Sequence, residues 1–118
     1  TMFLQLAHTK KPIYKDSREL VAECYRLTAL FPKEEKFAMV SQIRRAALSV
    51  HLNIAEGCSR RSEAERKRYF EIARGSVIEV DAAIGIACNL DFCKIESLSV
   101  IETLILNCFK QLSALIGK

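Results

Sequence analysis

The chain has 118 residues, half of them hydrophobic, with 18 Lys and Arg against 14 Asp and Glu and a net charge of +4. That length makes one domain, able to bury roughly two thirds of the surface its unfolded form exposes, so no metal or disulfide staple is needed to fold it. The mild positive charge permits nucleic-acid contact without demanding it, and charges interrupt the apolar positions so often that no stretch approaches the roughly 20 apolar residues that span a bilayer.

Residues 1–11 are a polar-apolar lead of uncertain structure, and residues 12–118 form the expected domain. The lead lacks the basic start, long apolar run and cleavage site of a signal peptide, so a cytoplasmic protein is expected. Two prolines and four glycines in the whole chain suit long helices. Pro12 and Pro32 bracket the first, in which Leu20, Cys24, Leu27 and Phe31 recur at four-three-four spacing on one stripe. Pro12 fits a first turn, where no backbone donor is needed, and Asp16 with Glu19 offers a later capping box. The second helix is predicted to begin near residues 33–36, where Glu34 and Glu35 complement the helix dipole. Phe37, Val40, Ile43, Ala47, Val50 and Ile54 give its inward stripe, and Leu48, Leu52 and Ala55 a second apolar edge. Gly57 is expected to stop it by taking the left-handed conformation.

Ser62-Glu63-Ala64-Glu65 is a capping box that opens the third helix. Tyr69, Ala73, Ser76, Val80, Ala83, Ala87 and Leu90 follow at four-three spacing, with Phe70, Val77 and Ile84 on a neighbouring face. Residues 91–96 connect to a fourth helix carrying Leu98, Ile101, Ile105, Cys108, Leu112 and Leu115, with Leu106, Phe109 and Ile116 off that stripe. Four amphipathic helices with short connections predict an all-α, antiparallel up-down four-helix bundle. The third and fourth helices are apolar over more than the ~100° a lone bundle hides, and such surplus surface predicts a homo-oligomer.

Sites for chemistry are sparse. Cys24, Cys58, Cys88, Cys93 and Cys108 are odd in number and scattered, without a C-x-x-C pair, and His8 and His51 lie near no metal-ligand pattern. Reduced structural thiols and no metal are expected. Cys58 or Ser49 could be imagined as a nucleophile beside His51, but nothing orients a third member, and no glycine-rich phosphate loop occurs. A non-enzymatic protein with no cofactor and no small-molecule substrate is the reading. Asn53 and Glu56, three apart within an apolar run, could meet Arg74, Ser76 and Glu79 in a polar network that sets helix register.

Basic residues cluster unevenly. Arg44 and Arg45 are adjacent, and Arg60, Arg61, Arg66, Lys67 and Arg68 crowd the start of the third helix, where positive charge opposes the dipole. Arg44, Arg45, Arg60, Arg61, Lys67 and Arg68 are the candidates for phosphate contact. Ion pairs such as Glu63 with Lys67 would instead make this a solvated face. Tyr69 and Phe70 read as core, so no aromatic platform for base readout is visible.

Phe31-Pro32-Lys33-Glu34-Glu35-Lys36-Phe37, then Gln42-Ile43-Arg44-Arg45-Ala46-Ala47, Asn53-Ile54-Ala55-Glu56-Gly57 and Ile72-Ala73-Arg74-Gly75-Ser76 follow one another in an order and spacing that resembles the 23S ribosomal RNA intervening sequence proteins. That family also looks related to the accessory variability determinant proteins of diversity-generating retroelements. His51-Leu52 stands where many relatives carry a proline or small residue. The resemblance implies a bundle that forms a ring-like homo-oligomer, a pentamer, with a basic surface suited to RNA or DNA. The expectation is therefore a homo-oligomeric, RNA-preferring nucleic-acid-binding protein with no membrane role; the rival is an oligomeric protein-interaction scaffold.

Overall fold

Pro12 opens the first long helix, α1 (Pro12–Thr28), where its missing N–H is required by nothing and its fixed φ is already helical. The structure, a computed structural model, describes residues 3–117, so residues 1–2 of the lead and Lys118 of the domain lie outside it. Residues Ala7–Lys10 make a single 3-10 turn ahead of α1. Ile13, Tyr14, Ser17, Leu20 and Cys24 form the buried face of α1. Asp16 lies inside the helix rather than capping a later start, and its carboxylate accepts a hydrogen bond from Gln111 Nε2 at 2.8 Å.

The second helix starts later than the sequence predicts. Lys33–Glu35 is one 3-10 turn, Ala38 interrupts with φ −122° and ψ −98°, and α2 runs Met39–Ser59. Phe37 therefore precedes the helical stripe and is 89% exposed, a correction to its expected inward place. Val40, Ile43, Ala47, Val50 and Ile54 do face the core.

Gly57 also acts differently from expectation. Its φ is not positive, and α2 continues through it. The requirement is space: a β-carbon there would sit 2.7 Å from Phe70 Cε1 and 3.1 Å from Tyr69 Cβ. The glycine lets α2 and the next helix approach closely.

Ser62 caps α3 (Glu63–Asn89) by accepting from the Glu65 N–H at 3.0 Å, as the capping box predicts. Both of its apolar stripes are used, because α3 packs on α2 and on the last helix, α4 (Ser99–Gly117). Phe70, Ala73, Val77, Val80, Ile84 and Ala87 are all buried. At its end the Phe92 N–H reaches back to Ala87 O at 2.9 Å and the Asp91 N–H to Cys88 O at 3.0 Å, with Asp91 at φ 61°. This is a Schellman turn with aspartate in the usual glycine position.

α1 likewise packs on α2 and α4, so the four helices share one core with Leu20, Ile43, Val50, Ile54, Val77, Val80 and Leu112 fully buried. No strand occurs among the described residues. The long dimension, 43 Å, is about that of 27-residue α3 at ~1.5 Å per residue.

α4 corrects one sequence inference. By length and composition alone, Ser99–Gly117 is apolar enough to cross a membrane. In the fold, its Ile101, Leu104, Cys108 and Leu112 face the core, and Glu102 and Lys110 interrupt its surface. Ile78 and Ile86 of α3 and Val100 and Leu106 of α4 remain exposed, as does Ile95 in the connection. Ile86, Ile95 and Leu106 border an open groove of about 660 Å³ between the two helices.

Candidate nucleic-acid interface

The six expected phosphate contacts occupy two stations. Arg44 and Arg60 are separated by 16 residues along α2 and its cap, about 24 Å at ~1.5 Å per residue. At the first station, Arg44 Nε donates to Thr28 Oγ1 at 2.8 Å, a terminal nitrogen donates to Tyr25 O at 3.3 Å, and the guanidinium lies 4.4 Å from the Tyr25 ring centroid. Arg44 thus adds a second donor to the Tyr25 carbonyl, which also accepts from the Ala29 N–H at 3.1 Å, and clamps the end of α1. Arg45 is exposed with no hydrogen bond or ion pair among the described residues.

At the second station Arg60 is also engaged. It pairs with Glu56 Oε2 at 2.8 Å, donates to Tyr69 Oη at 3.1 Å and lies over the Tyr69 ring at 4.9 Å. Lys67 makes a loose pair with Glu63 at 3.9 Å. Arg61 and Arg68 are exposed and carry no such partner among the described residues.

Arg61 and Lys67 line an open groove of about 1000 Å³ together with Lys11 and Arg66. Arg66 Nε donates to Arg60 O at 2.6 Å, which fixes the chain reversal between α2 and α3. One carboxylate, Glu63, answers four cations. Pro12, Ile13, Phe70 and Leu115 contribute apolar wall. Positive groups at the beginning of α3 also add to the positive end of its dipole, so an anion there meets both. Lys11 was missed in the sequence because it belongs to the lead; its signal is the pair Lys10-Lys11 just ahead of the helix-opening Pro12.

The expected polar network is divided. Asn53 Nδ2 donates to Ser49 O at 2.8 Å and to Ser49 Oγ at 3.1 Å, and Ser49 Oγ meets Ser76 Oγ at 2.8 Å, joining α2 to α3. Glu56 turns to Arg60, Glu79 accepts from Gln42 Nε2, and Arg74 donates to Ser113 Oγ on α4 at 3.2 Å. Only Asn53 and Ser76 of the five share a network, and Ser49 is its centre. Helix rotation explains the split: Arg74 and Ser76 are about 200° apart on α3.

His51 approaches neither Ser49 nor Cys58 as a partner. Its Nδ1 lies 2.7 Å from Ser17 Oγ, which itself donates to Tyr14 O at 3.0 Å. Ser17 has no exposed surface, so this hydroxyl orients the imidazole and presents no nucleophile to solvent. Tyr14 packs against His51 with the rings tilted by 54° and 4.6 Å between centroids, and meets the buried His8 ring edge-on at 5.4 Å. Burial, followed by the positive field of Arg18 and His8, holds the His51 pKa below its ordinary value. Burial lowers His8 as well, with Lys11 adding to it. Cys58 is half-buried on the groove wall, where burial raises its pKa and Lys11 and Arg66 oppose the rise. Among the described residues, no group of three His, Cys, Asp or Glu could hold a metal ion.

The family model for the 23S rRNA-intervening sequence protein matches residues 9–114. The chain belongs to that family. The match takes in all of α1, α2 and α3 and most of α4, and covers the residues whose spacing carries the resemblance. No curated protein matches. The fold is similar to the crystal structure of a protein of unknown function from the S23 ribosomal protein family of Bacteroides thetaiotaomicron, with TM-score 0.79 and 20% identity over 90% of this chain and 99% of that one. At that identity the likeness concerns the fold of this 23S rRNA-intervening sequence family member.

Proposed function

We propose that this protein is a non-enzymatic, homo-oligomeric nucleic-acid-binding protein that prefers RNA, working in the cytoplasm. The groove of Lys11, Arg61, Arg66 and Lys67, answered by the single carboxylate of Glu63, carries the reading. Arg45 and Arg68 extend the contact surface, whereas Arg44 and Arg60 hold the scaffold and touch phosphate secondarily. The groove is lined by the beginnings of α1 and α3 and the ends of α2 and α4, which supports an antiparallel up-down bundle. The exposed Ile78, Ile86, Val100 and Leu106 support assembly of copies along α3 and α4. A ring of five, as the family resemblance implies, would line up five such grooves.

A salt titration of binding to a generic single-stranded RNA and the matching DNA tests this. Each phosphate contact contributes a slope of about −0.7 in log affinity against log salt for a single strand. Lys11→Glu with Arg61→Glu should reduce both affinity and slope. Absence of binding at low salt, or indifference to these changes, would favour a protein-interaction scaffold instead. The pairing of Arg60 with Glu56 and of Lys67 with Glu63 is the observation on that side.

A further inference from the structure

The Schellman turn at the end of α3 reverses the chain and brings Cys93 back beside Cys88. Their sulfurs lie 3.4 Å apart, in direct contact, and both side chains are half-buried rather than sealed in the core. Phe92 between them is anchored by Phe31, ring centroids 5.7 Å apart, so packing as well as backbone hydrogen bonding holds the turn. A disulfide needs the sulfurs to close from 3.4 Å to about 2.05 Å. No third His, Cys, Asp or Glu joins the pair among the described residues, which leaves redox chemistry rather than metal binding.

We propose that Cys88 and Cys93 are a redox-active dithiol, oxidised by a small-molecule disulfide such as glutathione disulfide to an intramolecular bond that staples the reversal after α3. The Cys88 thiolate attacks one glutathione sulfur; the S–S bond breaks, one glutathione thiolate leaves, and a mixed disulfide forms at Cys88. Cys93 then loses its proton, attacks the Cys88 sulfur and expels the second glutathione thiolate. Two protein thiols are oxidised, glutathione disulfide is reduced to two thiols, and the two protons released end on them. Burial and the hydrogen bond with Cys88 push the Cys93 thiol up to about 12, which keeps it protonated and leaves the first attack to Cys88; in the second step contact, not acidity, favours Cys93, because its target sulfur is already 3.4 Å away. Cys24 and Cys108, sealed in the core, and Cys58, on the far groove, have no such neighbour.

The pair lies within one tryptic peptide, residues 75–94, which contains no other cysteine and no internal Lys or Arg. The folded protein should be incubated with glutathione disulfide, alkylated and digested. The expected result is that peptide two hydrogen masses lighter than its reduced form, unalkylated, and restored by dithiothreitol. Recovery of the peptide with both thiols alkylated, or linked to a second chain, would overturn the proposal. Cys93→Ser should instead accumulate a stable glutathione adduct at Cys88; a Cys93→Ser protein that takes up no glutathione there would overturn the order of attack and the pairing with it.

Discussion

The Arg44 guanidinium lies 4.4 Å from the Tyr25 ring and its Nε donates to Thr28 Oγ1 at 2.8 Å, tying α2 to the end of α1. Arg44→Ala should therefore destabilise the fold by about 2–4 kcal/mol, the combined scale of a charge-assisted hydrogen bond and a cation–π contact. Arg45→Ala, on an exposed position without a partner among the described residues, should stay within about 0.5 kcal/mol. Urea denaturation midpoints of the two variants check this, and equal losses would contradict the division of roles.

The three interior glycines should respond in opposite directions to alanine. Gly57→Ala drives a β-carbon against the Phe70 ring at 2.7 Å and should cost about 1–3 kcal/mol through overpacking. Gly75→Ala and Gly85→Ala meet nothing within 4 Å inside α3, so each should stabilise by about 0.5–1 kcal/mol through helix propensity. Thermal melts of the three proteins suffice to compare them.

Asp91 holds a left-handed φ of 61° at the Schellman turn. Asp91→Gly should leave the fold intact and stabilise it by up to about 1 kcal/mol, because glycine adopts that region without a side-chain clash. Asp91→Val should destabilise by about 1–2 kcal/mol, as a β-branched residue resists it. The two melting temperatures should fall on either side of the parent's.

Stability should decline on acidification through the histidine range. His51 and His8 both have folded pKa values below their ordinary value of 6.5, so the unfolded chain takes up protons first. Stability contributed by the neutral rings is complete above about pH 6.5 and is lost as pH falls below it. His51→Gln should flatten the dependence of the urea midpoint between about pH 7 and 5. An unchanged slope would mean that His51 is not buried neutral.

Assembly is expected to depend on the apolar surface of α3 and α4. Ile86→Glu with Leu106→Glu places charge on both sides of the groove between them. Light scattering should show the parent as a multiple of 13.3 kDa and the variant shifted towards one copy. A parent that already scatters as a single copy would end the oligomer reading.

The sequence by itself determined the helices, because hydrophobic periodicity, Pro12 at a first turn and the Ser62 cap are local signals whose physics acts within a few residues. It also carried the spacing that the family model matches. Only the tertiary structure decided which face each side chain shares with another helix. Arg44 and Arg45 are neighbours in the chain, yet about 100° of helix rotation sends one onto Tyr25 and the other into solvent. Gly57 reads as a stop signal in isolation and is a clearance for Phe70 once α2 and α3 meet. Cys88 and Cys93, unremarkable at five-residue spacing, touch only because a left-handed aspartate turns the chain back. Rotation, close approach and chain reversal are relations between elements, and one-dimensional spacing encodes them weakly.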